Sequence, residues 1–212
     1  MKVKQISLEE TTEAISNFIE ELRTRPTTNI SILSKYDILL NGLRASPENE
    51  KTPFIDCELP FSISLYPHHL KNIKGSIQEI IDSYLLTSYV NGTFQGIIMS
   101  YKNFKVPEKT KTSFDSGILT IRLKLNCIVF RPVINTYLIA TVCQKSFDHI
   151  ALLVYGIFNV KVSTDLVRER LSPKLQIDVL ARFKIRGMNF NHNPPIIEGE
   201  MNDSHCKILK VE

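Results

Sequence analysis

The chain has 212 residues, 43% of them hydrophobic and 23% charged, and its net charge is +4. This length and composition allow one or two buried cores, which predicts two modules and excludes a disordered protein. No apolar run approaches the roughly 18 residues of a membrane helix. Residues 1–4 lead into an acidic segment instead of a signal-peptide core. We therefore expect a soluble, intracellular protein without a membrane partner.

The charge is distributed unevenly along the chain. Residues 1–60 carry 7 basic and 10 acidic side chains, residues 61–135 carry 9 and 4, and residues 136–212 carry 10 and 8. A protein that binds nucleic acid on its own usually presents a more strongly basic face. The balance therefore favours RNA binding as an auxiliary activity.

The four cysteines are widely spaced. Cys57, Cys127, Cys143 and Cys206 form no CxxC pair and show no spacing typical of a zinc site. Adjacent His205 and Cys206 are the only neighbouring soft ligands, which is too few for a metal site. We expect reduced thiols, no metal and no cofactor.

Residues 1–52 predict an N-terminal helical extension and a linker. Ser7 and Glu10 fit a capping box, and apolar residues follow at helical spacing until Pro26. These apolar residues are Ile15, Phe18, Ile19 and Leu22. The pattern predicts a helix over residues 8–24, whose Glu-rich face is either solvated or a docking surface. Farther on, residues 38–40 fit either a short strand or a helical turn.

Residues 53–134 predict an α+β module in which one helix covers a small antiparallel sheet. Strands are predicted over residues 61–65, 94–101 and 117–130. A second capping box at Ser76 predicts a helix that ends near Asn91 and Gly92. Four lysines are expected on a polar loop between the last two strands, and they are Lys102, Lys105, Lys109 and Lys111.

Residues 135–212 predict a second module, an OB-type β-barrel, after a hinge at residues 131–135. Strands are expected over residues 137–142, in the segment 147–162, and over residues 175–186 and 195–201. The apolar run 150–154 is expected to be buried on both faces, and residues 164–173 to connect strands as a helix or loop. Five short strands in this length fit a small Greek-key barrel, so the fold class is α+β.

Four stretches in residues 53–201 share an order and spacing that resemble a known family. They are 65–67 (LYP) with 75–77 (GSI), 96–106 (GIIMSYKNFKV), 129–132 (VFRP) and 149–160 (HIALLVYGIFNV). Together they resemble the larger stalk subunit of nuclear and archaeal RNA polymerases, most closely that of RNA polymerase I. The family's glycine after Phe-Arg-Pro is absent, but Asn135 can adopt the left-handed conformation that such a turn needs.

The resemblance implies a non-catalytic subunit with a tip domain at residues 53–134 and an OB domain at residues 135–212. It implies that the tip docks on the RNA polymerase I core and receives the RNA polymerase I initiation factor, while the OB domain reaches toward nascent RNA. It also implies a smaller stalk partner subunit bound across both domains, and a place in the nucleolus of the nucleus during ribosomal RNA synthesis. The alternatives are the equivalent subunit of another nuclear polymerase and a free-standing OB-fold RNA-binding protein.

No catalytic set accompanies these motifs. Asp148 and His149 are adjacent, but no nucleophile motif and no glycine-rich phosphate loop is present. We therefore predict that the protein is not an enzyme.

Two sets of residues are predicted to make contacts. Stacking rings and phosphate-binding cations of the barrel would contact RNA weakly and without sequence preference; they are Tyr155, Phe158, Lys161, Arg182, Lys184 and Arg186. The alternative is a solvated outer face with Phe158 in the core. The predicted docking surface of the tip comprises Tyr66, Pro67, Lys102, Asn103, Phe104 and Lys105. Here Phe104 is either an exposed anchor or a core residue.

Overall fold

The computed structural model describes residues 3–25, 29–47, 52–92, 94–105, 111–112, 117–192 and 194–209. The chain forms two compact units, one of residues 1–6 with 54–131 and the other of residues 7–53 with 132–212. The α-helices are α1 (Leu8–Thr24), α2 (Ile30–Ala45) and α3 (Ile73–Ser83). None of the helices in the described residues is long and apolar enough to cross a membrane.

The first unit is an antiparallel sheet with one helix. Its strands are β1 (Val3–Gln5), β2 (Phe54–Leu65), β3 (Ser88–Asn91), β4 (Phe94–Lys105), β5 (Lys111–Thr112) and β6 (Leu119–Phe130). They lie in the order β1-β2-β6-β4-β3, and β5 also pairs with β6. The two long strands pair without a break from Phe54 opposite Phe130 to Leu65 opposite Leu119. From Leu59 to Leu65 and from Ile121 to Leu125 the strands alternate buried apolar with more exposed residues, so one face of this part of the sheet forms the core, whereas residues 127–130 are all buried.

The helix of this unit differs from the prediction. It begins after Asn72, whose side chain accepts a hydrogen bond from Gly75 N–H, so the capping box at Ser76 is wrong. It also ends at Ser83, before the predicted end near Asn91 and Gly92. Those two residues close a hairpin, because Asn91 pairs directly with Phe94 and Gly92 has a φ of 58°.

The lysine-rich segment also differs from the prediction. Lys102 and Lys105 lie on β4, which continues past residue 101, and Lys111 begins β5, so they are not on a loop. Two register shifts along β4 allow the longer strand to follow β6 to Lys105. The predicted position of Lys109 lies outside the described residues.

The second unit contains the first two helices. The predicted helix over residues 8–24 is confirmed, and the Ser7 and Glu10 side chains form the expected capping box. Residues 38–40 belong to α2, so the helical alternative for them is the correct one. The two helices pack through Phe18 and Tyr36, whose ring centroids are 5.9 Å apart in an edge-to-face contact.

The helical pair packs on the barrel of the same unit. A Cβ added at Gly42 of α2 would lie 2.3 Å from the backbone oxygen of Tyr155. Ile38 of α2 lies close to Gly156 in the same turn, where a Cβ added at Gly156 would be 2.9 Å from the Ile38 side chain. The absence of a side chain at Gly42 therefore allows helix and turn to approach closely.

The barrel confirms the predicted OB-type fold. Its strands are β7 (Tyr137–Lys145), β8 (His149–Val154), β9 (Phe158–Val167), β10 (Leu180–Asn189) and β11 (Ile196–Met201), with β12 (Lys207–Leu209) added on β10. The order β7-β8-β9-β11-β10 closes because β10 also pairs with β7. The β9–β11 pair is parallel and the other pairs are antiparallel. Closure leaves each strand one inner face.

Three details of the barrel prediction are wrong, and the first is that the strand expected over residues 175–186 begins only at Leu180. In the run 150–154, Ala151 and Leu153 are only half-buried, because only one face of β8 points into the closed barrel. Residues 164–167 continue β9 and do not connect strands. Residues 168–173 do form a connection, which leads into a short 3₁₀ turn at Ser172–Lys174, so that part of the prediction is correct.

Candidate nucleic-acid and docking surfaces

The basic residues of β10 lie on one side of that strand. Arg182, Lys184 and Arg186 alternate with side chains that point into the barrel core. The inward residues are Ala181, Phe183 and Ile185, which are at most 1% exposed. The sequence therefore correctly predicts that the three cations share the outer face of the barrel.

Acidic residues of the neighbouring strand and turn partly neutralise this face. Lys184 Nζ lies 3.4 Å from Glu200 Oε1 and 4.0 Å from Asp203 Oδ2. Arg186 Nε lies 3.8 Å from Glu200 Oε2. Arg186 is largely exposed, whereas Lys184 and its two carboxylate partners are half-buried. The carboxylates therefore offset part of the positive charge of this face, and Arg186 is the most accessible of the cations that they pair with.

Tyr137 links the same cluster to the turn that precedes β12. The Arg182 guanidinium lies 4.9 Å from the centre of the Tyr137 ring, a cation–π contact. The hydrogen bond from the Tyr137 hydroxyl lowers the pKa of Asp203 to about 2, with further support from His205 N–H. The same hydrogen bond raises the pKa of Tyr137 to about 12. Asp203 is therefore charged and Tyr137 neutral at neutral pH.

The two rings predicted to stack on RNA are buried. Tyr155 is 5% exposed and lies in the turn against α2, and Phe158 is 3% exposed at the start of β9. Phe158 thus occupies the core, as its alternative reading expects. Lys161 is exposed on β9, which does not neighbour β10, so the structure does not bring it together with the three cations of β10.

The prediction missed an exposed aromatic residue beside β8. Phe147 is fully exposed in the connection between β7 and β8. Its backbone is held on both sides, because Ser146 N–H donates to His149 O at 2.8 Å and Thr164 Oγ1 donates to Phe147 O at 3.1 Å. Along β8 the odd-numbered residues point outward, and Phe147 continues this odd-numbered series before the strand. The period of two in the sequence could therefore have predicted that Phe147 is exposed.

The outer face of β8 and β9 continues from this loop into a groove of about 390 Å³. Its lining includes His149, Ala151, Leu153, Asn159 and Lys161. His149 Nδ1 lies 2.7 Å from Asp148 Oδ1, and this contact lowers the pKa of the Asp148 carboxyl. The second and third strands of OB folds and their adjoining loops commonly bind oligonucleotides. The groove therefore lies on the strands that correspond to this part of an OB fold.

The predicted docking residues of the first unit form two separate groups. Tyr66 and Pro67 follow β2, whose last residue Leu65 pairs with Leu119 of β6. Phe104 pairs with Leu125 of the same strand. Six residues along a strand span about 20 Å. The structure therefore does not place the two groups in one patch.

Most polar groups of the β4 group already have partners within the sheet. Lys102 Nζ lies 2.9 Å from Asp56 Oδ2, and the Asn103 side chain accepts a 2.7 Å hydrogen bond from Asn126. Phe104 is half-buried and Lys105 is exposed. At the other group, Tyr66 is 47% exposed and stacks on His68 with ring centroids 5.9 Å apart. Leu70 and Ile73 are also exposed there, so this end presents more apolar surface.

The described residues contain no group of three or more His, Cys, Asp or Glu side chains that could hold a metal ion. Asp148 and His149 are the acid–base pair noted in the sequence, and both lie at the barrel surface. The α+β sheet unit and the OB-type barrel together give the fold class that the resemblance implies.

The amino-acid sequence is similar to those of several known proteins. No family model matches the chain. It is 33% identical over 101 residues to DNA-directed RNA polymerase I subunit RPA43 of Danio rerio, and 32% identical over 101 residues to the protein of that name in Schizosaccharomyces pombe. The human protein of the same name is 28% identical over 101 residues. These matches confirm the predicted resemblance to the RNA polymerase I stalk subunit.

The matches cover part of each protein. They include 47% of this chain, 25% of the Danio rerio protein, 57% of the Schizosaccharomyces pombe protein and 29% of the human protein. The similarity therefore spans less than two thirds of each relative's own length.

Proposed function

We propose that the chain is a non-catalytic stalk subunit of DNA-directed RNA polymerase I. The observation that carries this proposal is the match to polymerase I subunits named RPA43 in animals and a fungus. The architecture supports it, because a sheet unit and a barrel unit provide two binding surfaces and the sequence contains no catalytic motif. As a polymerase I subunit, it would act in the nucleus, in the nucleolus, during ribosomal RNA synthesis.

The sheet unit is proposed to dock on the polymerase core and to receive the initiation factor. Tyr66 and Pro67, with the exposed Leu70 and Ile73 beside them, supply apolar area of the kind that anchors protein interfaces. The β4 group, from Lys102 to Lys105, would then orient the partner by charge. A smaller stalk partner subunit is a further proposed neighbour.

Purification from native cells tests the assignment. We would tag the chain, isolate it at moderate salt and identify the proteins that accompany it by mass spectrometry. Recovery of the large subunits of RNA polymerase I in near-equal amounts supports the proposal. Recovery of the subunits of another polymerase would assign the chain to that polymerase instead. Recovery of RNA alone would favour a free-standing RNA-binding protein.

The barrel is proposed to contact nascent RNA weakly. The supporting observation is the outward position of Lys161 and of the three cations of β10, together with the exposed ring of Phe147. Cations that contact phosphates and an aromatic ring that stacks on a base are sufficient for binding without sequence preference. Tyr155 and Phe158 would act indirectly, since their rings lie inside.

Two groups of variants test which barrel surface contacts RNA. One changes Arg182, Lys184 and Arg186 to Gln; the other combines Phe147→Ala with Lys161→Gln. We would measure the affinity for a labelled single-stranded RNA of about 12 nucleotides, within the site size of an OB fold. Each lost phosphate contact should flatten the slope of log affinity against log salt by about 0.7. Unchanged affinity and slope in both variants would exclude RNA contact at the barrel.

A further inference from the structure

The strand β3 has an open edge. It pairs with β4 on one side, and no strand among the described residues pairs with its other side. The other strands that pair on one side only each contain a lysine, a residue that discourages unwanted strand pairing. These lysines are Lys4 of β1, Lys111 of β5 and Lys207 of β12. The sequence of β3, Ser-Tyr-Val-Asn, contains neither lysine nor proline, so its edge lacks this protection.

The register identifies the backbone groups that this edge presents. Asn91 pairs with Phe94 directly beside the two-residue connection, a position where hairpins form a hydrogen-bonded pair. Hydrogen-bonded and non-hydrogen-bonded pairs alternate along antiparallel strands. Val90 and Ser88 are therefore non-hydrogen-bonded with β4, and their N–H and C=O groups point to the open edge.

A groove of about 690 Å³ runs along the same strand. All four residues of β3 line it, together with Pro60 to Ser62 of β2, Tyr84 after α3, and Arg122 and Leu123 of β6. Tyr84 is 43% exposed and Val90 is 53% exposed, so the groove has an apolar section. Arg122 is exposed on the outer face of β6, and no carboxylate of the described residues forms an ion pair with it.

We propose that the open edge of β3 receives an extended segment of a partner protein as an added strand. Backbone hydrogen bonds to Ser88 and Val90 would give affinity, as in other cases of strand addition. An apolar side chain of the segment would cover Tyr84 and Val90, and a carboxylate would pair with Arg122. The charge of Arg122 and the apolar section select an extended segment that carries an apolar residue and an acidic residue. This proposal does not depend on the polymerase assignment, because it concerns backbone geometry and local charge.

The first test places a photo-crosslinking benzoylphenylalanine at position 90 of the full chain in its native cells. After irradiation, the crosslinked peptide is identified by mass spectrometry. A partner peptide that contains an apolar residue and an acidic residue is the expected product. Crosslinks only to a second copy of the chain, or only within the chain, would overturn the proposal, and so would the absence of a crosslink.

The second test uses substitutions that alter the edge but leave the hairpin paired. Val90→Pro removes the outward N–H, whereas Val90→Thr keeps it and provides the matched control. With the crosslinker moved to position 88, Val90→Pro and Arg122→Glu should each lower the yield of the partner crosslink about tenfold, which corresponds to loss of one good hydrogen bond or ion pair. Equal yields for Val90→Pro and Val90→Thr would refute strand addition.

Amide hydrogen exchange tests strand addition at β3 separately from the polymerase assignment. In the purified chain, the amides of Ser88 and Val90 should exchange quickly, and those of Tyr89 and Asn91 slowly. In the purified complex, the two fast amides should become protected. If they stay fast while polymerase subunits still co-purify, the strand-addition proposal is wrong and the polymerase assignment stands.

Discussion

The Tyr137 hydroxyl donates a hydrogen bond to Asp203 Oδ2 at 2.5 Å, which joins β7 to the turn before β12. This bond lowers the pKa of Asp203 from 3.8 to about 2. A carboxyl group with a lowered pKa in the folded state stabilises the protein above its unfolded pKa, and this contribution is lost as the pH falls through the folded value. The bond should therefore stabilise the barrel at neutral pH and cease to do so between about pH 4 and pH 2.

The Tyr137→Phe substitution tests this contribution. It removes the hydroxyl and keeps the ring under Arg182, so the variant should have a lower melting temperature than the unmodified chain at pH 7 and the same melting temperature near pH 2. Thermal unfolding followed by circular dichroism over this pH range measures the difference. Asp203→Asn is the matched control, because it removes the titrating group itself. A difference in melting temperature that does not change with pH would contradict the proposed linkage.

The contact between α2 and the barrel depends on Gly42. Substitution by Ala would place Cβ 2.3 Å from the Tyr155 backbone oxygen, so α2 must move away from the turn. We expect Gly42→Ala to lower the free energy of unfolding by about 1–3 kcal/mol, the usual cost of overpacking. The better helix propensity of Ala, worth about 1 kcal/mol, offsets only part of that cost.

The control for this substitution is Gly187→Ala in β10. The nearest atom to a Cβ at Gly187 is Glu198 Oε2 at 3.7 Å, an ordinary contact distance. Urea unfolding of the two variants should therefore show a lower midpoint for Gly42→Ala and little change for Gly187→Ala. Equal midpoints would mean that the helical pair does not pack tightly on the barrel.

The sequence predicts contacts between residues that are close along the chain, but not contacts between distant residues. The capping box of α1 joins Ser7 to Glu10, three residues apart, so its signal lies within one turn of the chain. The packing of Gly42 against Tyr155 joins residues that are distant in sequence, and no local pattern encodes it. For the same reason, alternation correctly predicts that the cations of β10 share a face, but it does not reveal that Glu200 lies beside them.

At two places the sequence pattern alone does not determine the structure. The run 150–154 is apolar throughout, and only closure of the barrel determines that Ala151 and Leu153 face outward. After α3, the turn-forming Asn91 and Gly92 fit a helix end and a hairpin equally well in the sequence. Pairing of β3 with β4 decides between them.

Asn135 adopts the left-handed conformation that the sequence predicts for the turn after the Phe-Arg-Pro motif. Its φ is 66°, and its N–H donates a 2.8 Å hydrogen bond to Ile185 O. We expect Asn135→Gly to be close to neutral, because glycine adopts this conformation without steric cost. Asn135→Val should lower the free energy of unfolding by about 1–3 kcal/mol, the usual cost of backbone strain.

Chemical denaturation of these two variants measures the difference. Because both substitutions remove the Asn side chain and keep the backbone N–H, a lower stability of the Val variant does not come from loss of either group. Valine restricts the unfolded chain more than glycine does, which favours the Val variant, so a lower stability for it reports strain at the positive φ. Equal stability of the Gly and Val variants would show that the turn tolerates another conformation.

The cysteines should differ sharply in reactivity. Cys143 is exposed on β7, whereas Cys57, Cys127 and Cys206 are at most 3% exposed. Burial and the nearby Asp178 raise the pKa of the Cys143 thiol, so a smaller fraction is thiolate at neutral pH than in a free cysteine. A thiol reagent such as dithionitrobenzoate should therefore modify one cysteine in a fast phase, more slowly than free cysteine at neutral pH and faster as the pH rises.

Single substitutions assign that phase. Cys143→Ser should abolish the fast phase, and Cys206→Ser, which removes a buried thiol, should leave its amplitude unchanged. The remaining thiols should react only at the rate at which the unit opens, because the thiolate must reach the reagent to attack it. Rapid modification of two or more thiols in the native chain would show that the barrel or the sheet opens far more often than its burial pattern indicates.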